Sequence, residues 1–149
     1  MKGRVVDLLR TRGEKVFQRF PISLVYLFGS QSQGRARKNS DVDLAVLFDH
    51  SVSKDQRFDL TLRLAGEISD LLKSDNFDLV ILNDDNASPV LKFEAVYRGI
   101  VVYSRLDFNQ RFEFENRVRK EFHDTAHFRK TAFEAIRARF GQNELKKKK

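Results

Sequence analysis

The sequence predicts an α+β (α/β-like) domain, a mixed sheet of about four strands covered by helices, with a helical tail at the C-terminus. Three observations carry the prediction. Short apolar runs alternate with longer segments of helical period, proline, glycine and capping residues stand at the joins, and Leu106 to Phe140 contains neither proline nor glycine. The 149 residues, 41% hydrophobic and 33% charged, suffice for one core and are too few for two ordinary domains.

Val5, Val6, Leu9, Val16, Phe17 and Phe20 recur at helical spacing and Pro21 forbids continuation, so residues 4–19 read as an amphipathic helix that Gly13 weakens slightly. Leu24 to Phe28 is a short apolar strand ended by Gly29. Eleven mostly polar residues, Ser30 to Ser40, separate it from a second strand, Asp41 to Phe48. Ser53 with Gln56 forms a capping-box pattern, and Phe58, Leu62, Ala65, Ile68 and Leu72 continue a helix from about Lys54 to Leu72. Phe77 to Leu82 is a third strand. Ser88 caps a helix with Pro89 in its first position, and Gly99, expected in the left-handed conformation, closes it at Arg98. Ile100 to Tyr103 is a fourth strand. Leu106 to Phe140 then reads as one long helix, or two with a break near Asp124. The chain divides into a core (1–104), a helical appendage (105–145) and a basic tail (146–149) read as frayed and solvated.

The formal net charge of +7 is unevenly placed. Residues 1–104 carry 15 basic and 14 acidic groups, whereas 105–149 carry 13 and 7, with four of the basic groups at Lys146 to Lys149. A nearly neutral core argues against nucleic acid as substrate. The absence of cysteine excludes a disulfide scaffold, a cysteine-based zinc site and a thiol nucleophile, and is consistent with a cytoplasmic protein. The longest apolar runs have five residues, far below the roughly 20 of a membrane-spanning helix.

The chemistry lies in the strands. Asp41 and Asp43 stand two apart and share a face of their strand, their Cα atoms roughly 7 Å apart by strand rise, while Val42, Leu44 and Val46 point the other way. Asp78 interrupts the third strand and joins the pair if that strand lies beside the second. Three carboxylates gathered against an apolar sheet repel one another unless a cation offsets them. Oxygen ligands without cysteine or a nearby histidine favour magnesium or manganese, and magnesium completes its shell with water and substrate phosphates. Gly29 lets a backbone turn approach an anion closely, and Ser30 adds a hydroxyl and an amide. Arg35, Arg37 and Lys38 are candidate contacts for a polyphosphate, or else a solvated basic loop. His123 and His127 have the spacing of a two-histidine zinc site but lack the adjacent glutamate of a metalloprotease, so exposed or interface histidines are expected. No P-loop or dinucleotide-binding run occurs.

Gly29-Ser30 and Asp41-Val42-Asp43 resemble the signature of the polymerase-β-like nucleotidyltransferase superfamily, and within it the chain is similar to the minimal nucleotidyltransferases (MNT domains) that act as antitoxins to HEPN-domain ribonuclease toxins. The similarity extends through Gly34, Ser40, Phe77 to Asn83, Ala87-Ser88-Pro89, Gly99, Val102-Tyr103 and the helical stretch Phe112 to Arg139. The resemblance implies a nucleotidyltransferase fold, with Asp41, Asp43 and Asp78 as catalytic and metal-binding residues and Gly29 and Ser30 holding the triphosphate. It further implies ATP as substrate, two magnesium ions (manganese as a substitute), and transfer of AMP to a tyrosine of the toxin with release of pyrophosphate. Two alternatives stand beside it: a nucleotidyltransferase of small molecules such as antibiotics, and a non-catalytic antitoxin that neutralises by binding. Seven of the fourteen phenylalanines follow Arg105. Half or more of these are expected to pack on the sheet and the rest to dock the toxin.

Overall fold

The computed structural model describes the backbone of residues 2–29 and 41–147 and the side chains of 3–29 and 41–139. Its elements are α1 (Lys2–Phe17), β1 (Ile22–Phe28), β2 (Val42–Phe48), α2 (Lys54–Leu72), β3 (Phe77–Ile81), α3 (Pro89–Phe93) continued by a π-helical turn (Glu94–Arg98), β4 (Ile100–Ser104), α4 (Phe108–Asp124) and α5 (Ala126–Lys147). The four strands form one mixed sheet in the order β3-β2-β1-β4. β1 runs antiparallel to both β2 and β4, and β3 is parallel to β2 across the α2 crossover. β1 is buried at every position, as the uninterrupted apolar run of a central strand requires.

One face of the sheet places Val25, Leu27, Val42, Leu44 and Val46 against Leu9 and Phe17 of α1 and Leu64 and Ile68 of α2. The other places Leu24, Tyr26, Phe28 and Ala45 against Ala95 and Val96 of the π turn and Phe114 and Val118 of α4. Period-two alternation along β2 therefore sends Val42, Leu44 and Val46 beneath α1 and α2, and turns Asp43 toward the face that carries α4. Beyond the end of β3, Asn83 extends the pairing: its Oδ1 accepts from the Phe48 amide at 2.8 Å and its Nδ2 donates to the Phe48 carbonyl at 3.0 Å.

Local chemistry explains the helix ends. Ser53 and Gln56 cap α2 reciprocally, and Asp107 and Gln110, unremarked in the sequence, do the same for α4. Ser88 accepts from the Leu91 amide with Pro89 in the first turn of α3. Helix α1 starts at Lys2 and ends at Phe17, earlier at both ends than the periodicity suggested. The expected left-handed Gly99 is a correction, since it is extended (φ −81°, ψ 173°) and leads straight into β4. Its need is for space, because a Cβ there would lie 2.1 Å from the Ala95 carbonyl oxygen. The left-handed cap is instead Lys73, after α2.

The long C-terminal segment is broken at Thr125, next to the expected Asp124. The Thr125 hydroxyl donates back to the carbonyls of Glu121 (2.8 Å) and Phe122 (3.2 Å), a competition with the helix ladder that bends helices. Arg129 donates to the Phe122 carbonyl at 2.8 Å and lays its guanidinium over the Phe122 ring at 3.9 Å. Helix α5 runs to Lys147, so the terminal lysine run begins inside it. The expected packing of half or more of the C-terminal phenylalanines is also corrected. Among the described ones Phe114 is buried and Phe122 stacks on Phe93, whereas Phe108 and Phe112 of α4 face solvent, and Phe128 and Phe133 are exposed because α5 reaches beyond the sheet it was expected to cover. Among the described residues no helix is long and apolar enough to cross a membrane.

Candidate active site

Strand register gathers the predicted carboxylates. Phe28, at the end of β1, pairs with Asp43 on β2, and Asp43 pairs in turn with Asp78 on β3. Asp41 lies immediately before β2, two residues from Asp43 and on the same side by strand alternation. Gly29 follows β1 with φ +77°, a conformation that L side chains rarely adopt. A Cβ there would stand 2.3 Å from Asp43 Oδ2. The bare backbone of Gly29 is thus what lets the turn close onto the carboxylate.

Asp43 is half-buried, and Asp41 and Asp78 are exposed. Burial pushes the Asp43 carboxyl above the usual carboxylate range, and the charges of Asp78 and then Asp41 push it further in the same direction. Among the described residues no lysine or arginine forms an ion pair with any of the three. Their side chains do not already converge as a ready metal cage, for no group of three or more acidic or histidine side chains among the described residues is placed to hold an ion. The donor set nevertheless suits a hard cation: oxygen ligands only, mutually repulsive and without a counter-charge among the described residues. Ser30, Arg35, Arg37 and Lys38, with Gly34 and Ser40, lie outside the described residues.

The interior of the same face holds a network that sequence reasoning missed. The Tyr26 hydroxyl donates to Glu115 Oε1 at 3.3 Å, Arg111 Nε donates to the same oxygen at 2.8 Å, and the Tyr97 hydroxyl donates to the Glu115 carbonyl at 2.8 Å. Burial, reinforced by Glu115, drives the Tyr26 hydroxyl well above its ordinary range, so it stays a neutral donor that fastens α4 over the sheet. No pattern in the chain announces a partner 89 residues away. At the far end of the face a cavity of about 480 Å³ opens between Leu47, Leu82, Lys92, Phe114, Arg117 and Glu121. Lys92 is buried there, 3.8 Å from Glu121. His123 and His127 are exposed and fall on opposite sides of the break at Thr125.

The geometry matches relatives along most of the chain. Residues 14–125 match the family described as polymerase beta, nucleotidyltransferase. The chain is 35% identical over 98 residues to the protein adenylyltransferase MntA of Shewanella oneidensis, an alignment covering 66% of this chain and 61% of that protein's length. Among solved structures, a toxin–antitoxin complex with AMP-PNP contains a chain that superposes with a TM-score of 0.69 at 26% identity, over 85% of this chain and 97% of that one. A chain from a complex of the tri-AMPylated HEPN toxin of Shewanella oneidensis with its MNT antitoxin shares the fold at a TM-score of 0.65 and 23% identity, over 88% of this chain and 98% of that one. With the glycine turn on one strand, the paired aspartates on the next and a third carboxylate in register beside them, the chain belongs to the polymerase-β nucleotidyltransferase family.

Proposed function

We propose that this chain is an antitoxin of the MNT type, a protein adenylyltransferase that moves AMP from ATP to a tyrosine hydroxyl of a cognate HEPN ribonuclease toxin. The observation that carries the reading is the closure of Gly29 onto Asp43, with Asp78 in register beside it. Such a turn holds a triphosphate against a carboxylate pair, and the relatives are named for adenylyl transfer and for toxin–antitoxin assembly.

The reaction is an in-line displacement at the α-phosphorus. The tyrosine oxygen forms a bond to phosphorus, the bond to the bridging oxygen breaks, and pyrophosphate leaves. Divalent cations, magnesium or manganese, held by Asp41, Asp43 and Asp78, would neutralise the phosphates and make the attacking hydroxyl more acidic. Gly29 and Ser30 hold the triphosphate through backbone amides, and Arg35 and Arg37 supply positive charge to the leaving pyrophosphate. Asp78, exposed on β3, faces incoming acceptor and assists removal of the hydroxyl proton. AMP on a tyrosine near the ribonuclease site adds negative charge and bulk where RNA must bind.

The test combines the chain with magnesium, labelled ATP and its HEPN partner, and weighs the partner by mass spectrometry. The expected result is the addition of one or more AMP units that Asp41→Ala with Asp43→Ala abolishes. An unmodified partner, or equal modification by the double variant, defeats the proposal. Neutralisation without added mass would favour binding alone.

A further inference from the structure

We infer that α5 is the arm by which this chain captures its protein acceptor, and that the matching surface is an apolar groove with an acidic rim on the HEPN toxin. The inference rests on the proposed function for the identity of that acceptor. Phe128 (72% exposed), Phe133 (62%) and Ile136 (53%) stand open to solvent on one helix. Phe128, Ala132, Ala135 and Ile136 follow the i, i+4, i+7, i+8 rule and share a side, with Phe133 flanking Ile136. Among the described residues only α4 makes more than glancing contact with α5, and that contact lies at their junction. Helices draw most of their stability from packing one face, so a 22-residue helix whose described aromatic residues stand uncovered is built to be covered.

Charge selects the occupant. Helix α5 holds six basic residues against two acidic ones, a net +4 that opposes pairing with a second copy of itself. Arg129 is pinned over Phe122, and the Arg137 guanidinium lies 5.7 Å from the Phe133 ring; Arg139, eleven residues after Phe128, falls on the Phe128 side by helical spacing. Cations interleaved with the apolar side do not suit a membrane surface, where they segregate to the opposite face. A nucleic acid would use the basic and aromatic groups, but it offers nothing to the aliphatic surface of Ala132, Ala135 and Ile136. Carboxylates bordering an apolar groove answer both sets of groups, as in helix-in-groove recognition.

The experiment measures binding of the full chain to the purified HEPN toxin by titration calorimetry, beside the mass assay above. Phe128→Ser with Phe133→Ser and Ile136→Ser should raise Kd on the order of a hundredfold. Arg137→Glu with Arg139→Glu should raise it about tenfold, and more at low salt. Asp41→Ala with Asp43→Ala should bind as wild type. Should circular dichroism show that the serine variant loses helix, the charge-reversal variant decides. Wild-type affinity in a folded α5 variant overturns the inference. So does unchanged toxin binding accompanied by selective loss of a mixed-sequence single-stranded RNA, or of a self-dimer seen in sedimentation. If even the wild type adds no AMP while the α5 variants lose toxin, the transferase reading fails and the docking arm stands.

Discussion

Asp43 and Leu47 lie on one face of β2, four residues or about 13 Å apart, and Asp78 and Leu82 repeat the relation one strand over, yet the two ends of this face differ in kind. At the Leu47 end the charges answer one another: buried Lys92 faces Glu121 across the wall of a cavity. At the Asp43 end three carboxylates share a neighbourhood, and among the described residues no cation pairs with them. A buried cation answered by a carboxylate of the same protein, here the exposed Glu121, asks nothing of a ligand. An acidic cluster beside a glycine turn, without a counter-charge among the described residues, stays unfavourable until something positive arrives, and that difference is why the proposed chemistry is assigned to this end.

The sharpest way to break the comparison is to neutralise each end. Asp41→Ala with Asp43→Ala should lower the AMP-transfer rate on the order of a thousandfold or more, because charge stabilisation at the phosphates is lost. Lys92→Met, which swaps a buried ion-pair member for an apolar side chain of similar length, should leave the rate unchanged and move stability by about 1 kcal/mol or a little more. Initial rates and urea unfolding read both. Comparable losses of activity from the two changes would show that the far end also serves the reaction.

Gly29→Ala comes next. It forces a side chain into a left-handed conformation and drives a Cβ to 2.3 Å from Asp43 Oδ2. The backbone term alone costs about 1–3 kcal/mol, and displacing the carboxylate should cut the rate on the order of a hundredfold. Gly66, in the exposed face of α2, has nothing within 4 Å of its Cβ position. Gly66→Ala should therefore stabilise by about 0.5–1 kcal/mol with activity intact. Melting temperatures that move in the same direction for both variants would refute the steric account of Gly29.

Much of this was legible in the chain because its signals are local. Ser53 and Gln56 bound α2, Pro21 and Pro89 sit where helices must end or begin, and the carboxylates of Asp43 and Asp78 interrupt runs that are otherwise apolar. What stayed hidden depends on distance or on crowding. Gly99 looked like a left-handed cap, but its neighbours Ala95 and Leu27 impose a spatial limit that only the folded chain reveals. The π turn replaces the last helical turn before it, and helical periodicity does not separate the two. Tyr26 and Glu115 meet through the docking of α4 on the sheet. The open phenylalanines of α5 carry the same beat as buried ones, since periodicity tells which residues share a face and not what covers it.

The smallest effect concerns stability against pH. The folded state raises the Asp43 pKa above its unfolded value, chiefly through burial and then through Asp78 and Asp41. In the window from the ordinary carboxylate value, near 3.9, up to that raised value, the native state binds more protons than the unfolded one, so unfolding free energy falls as pH rises and levels off above it. The stabilisation belongs to the protonated form and is lost as the group ionises. Asp43→Asn removes the titration, and it should be more stable than wild type at pH 7 by less than about 1 kcal/mol, the two converging toward pH 4. Magnesium should raise the melting temperature of the wild type at pH 7 and do little for the variant, because the ion offsets the repulsion that asparagine has already removed. Parallel unfolding curves for the two proteins from pH 4 to 7, with no selective response to magnesium, would mean that the acidic end is no less satisfied than the Lys92 end.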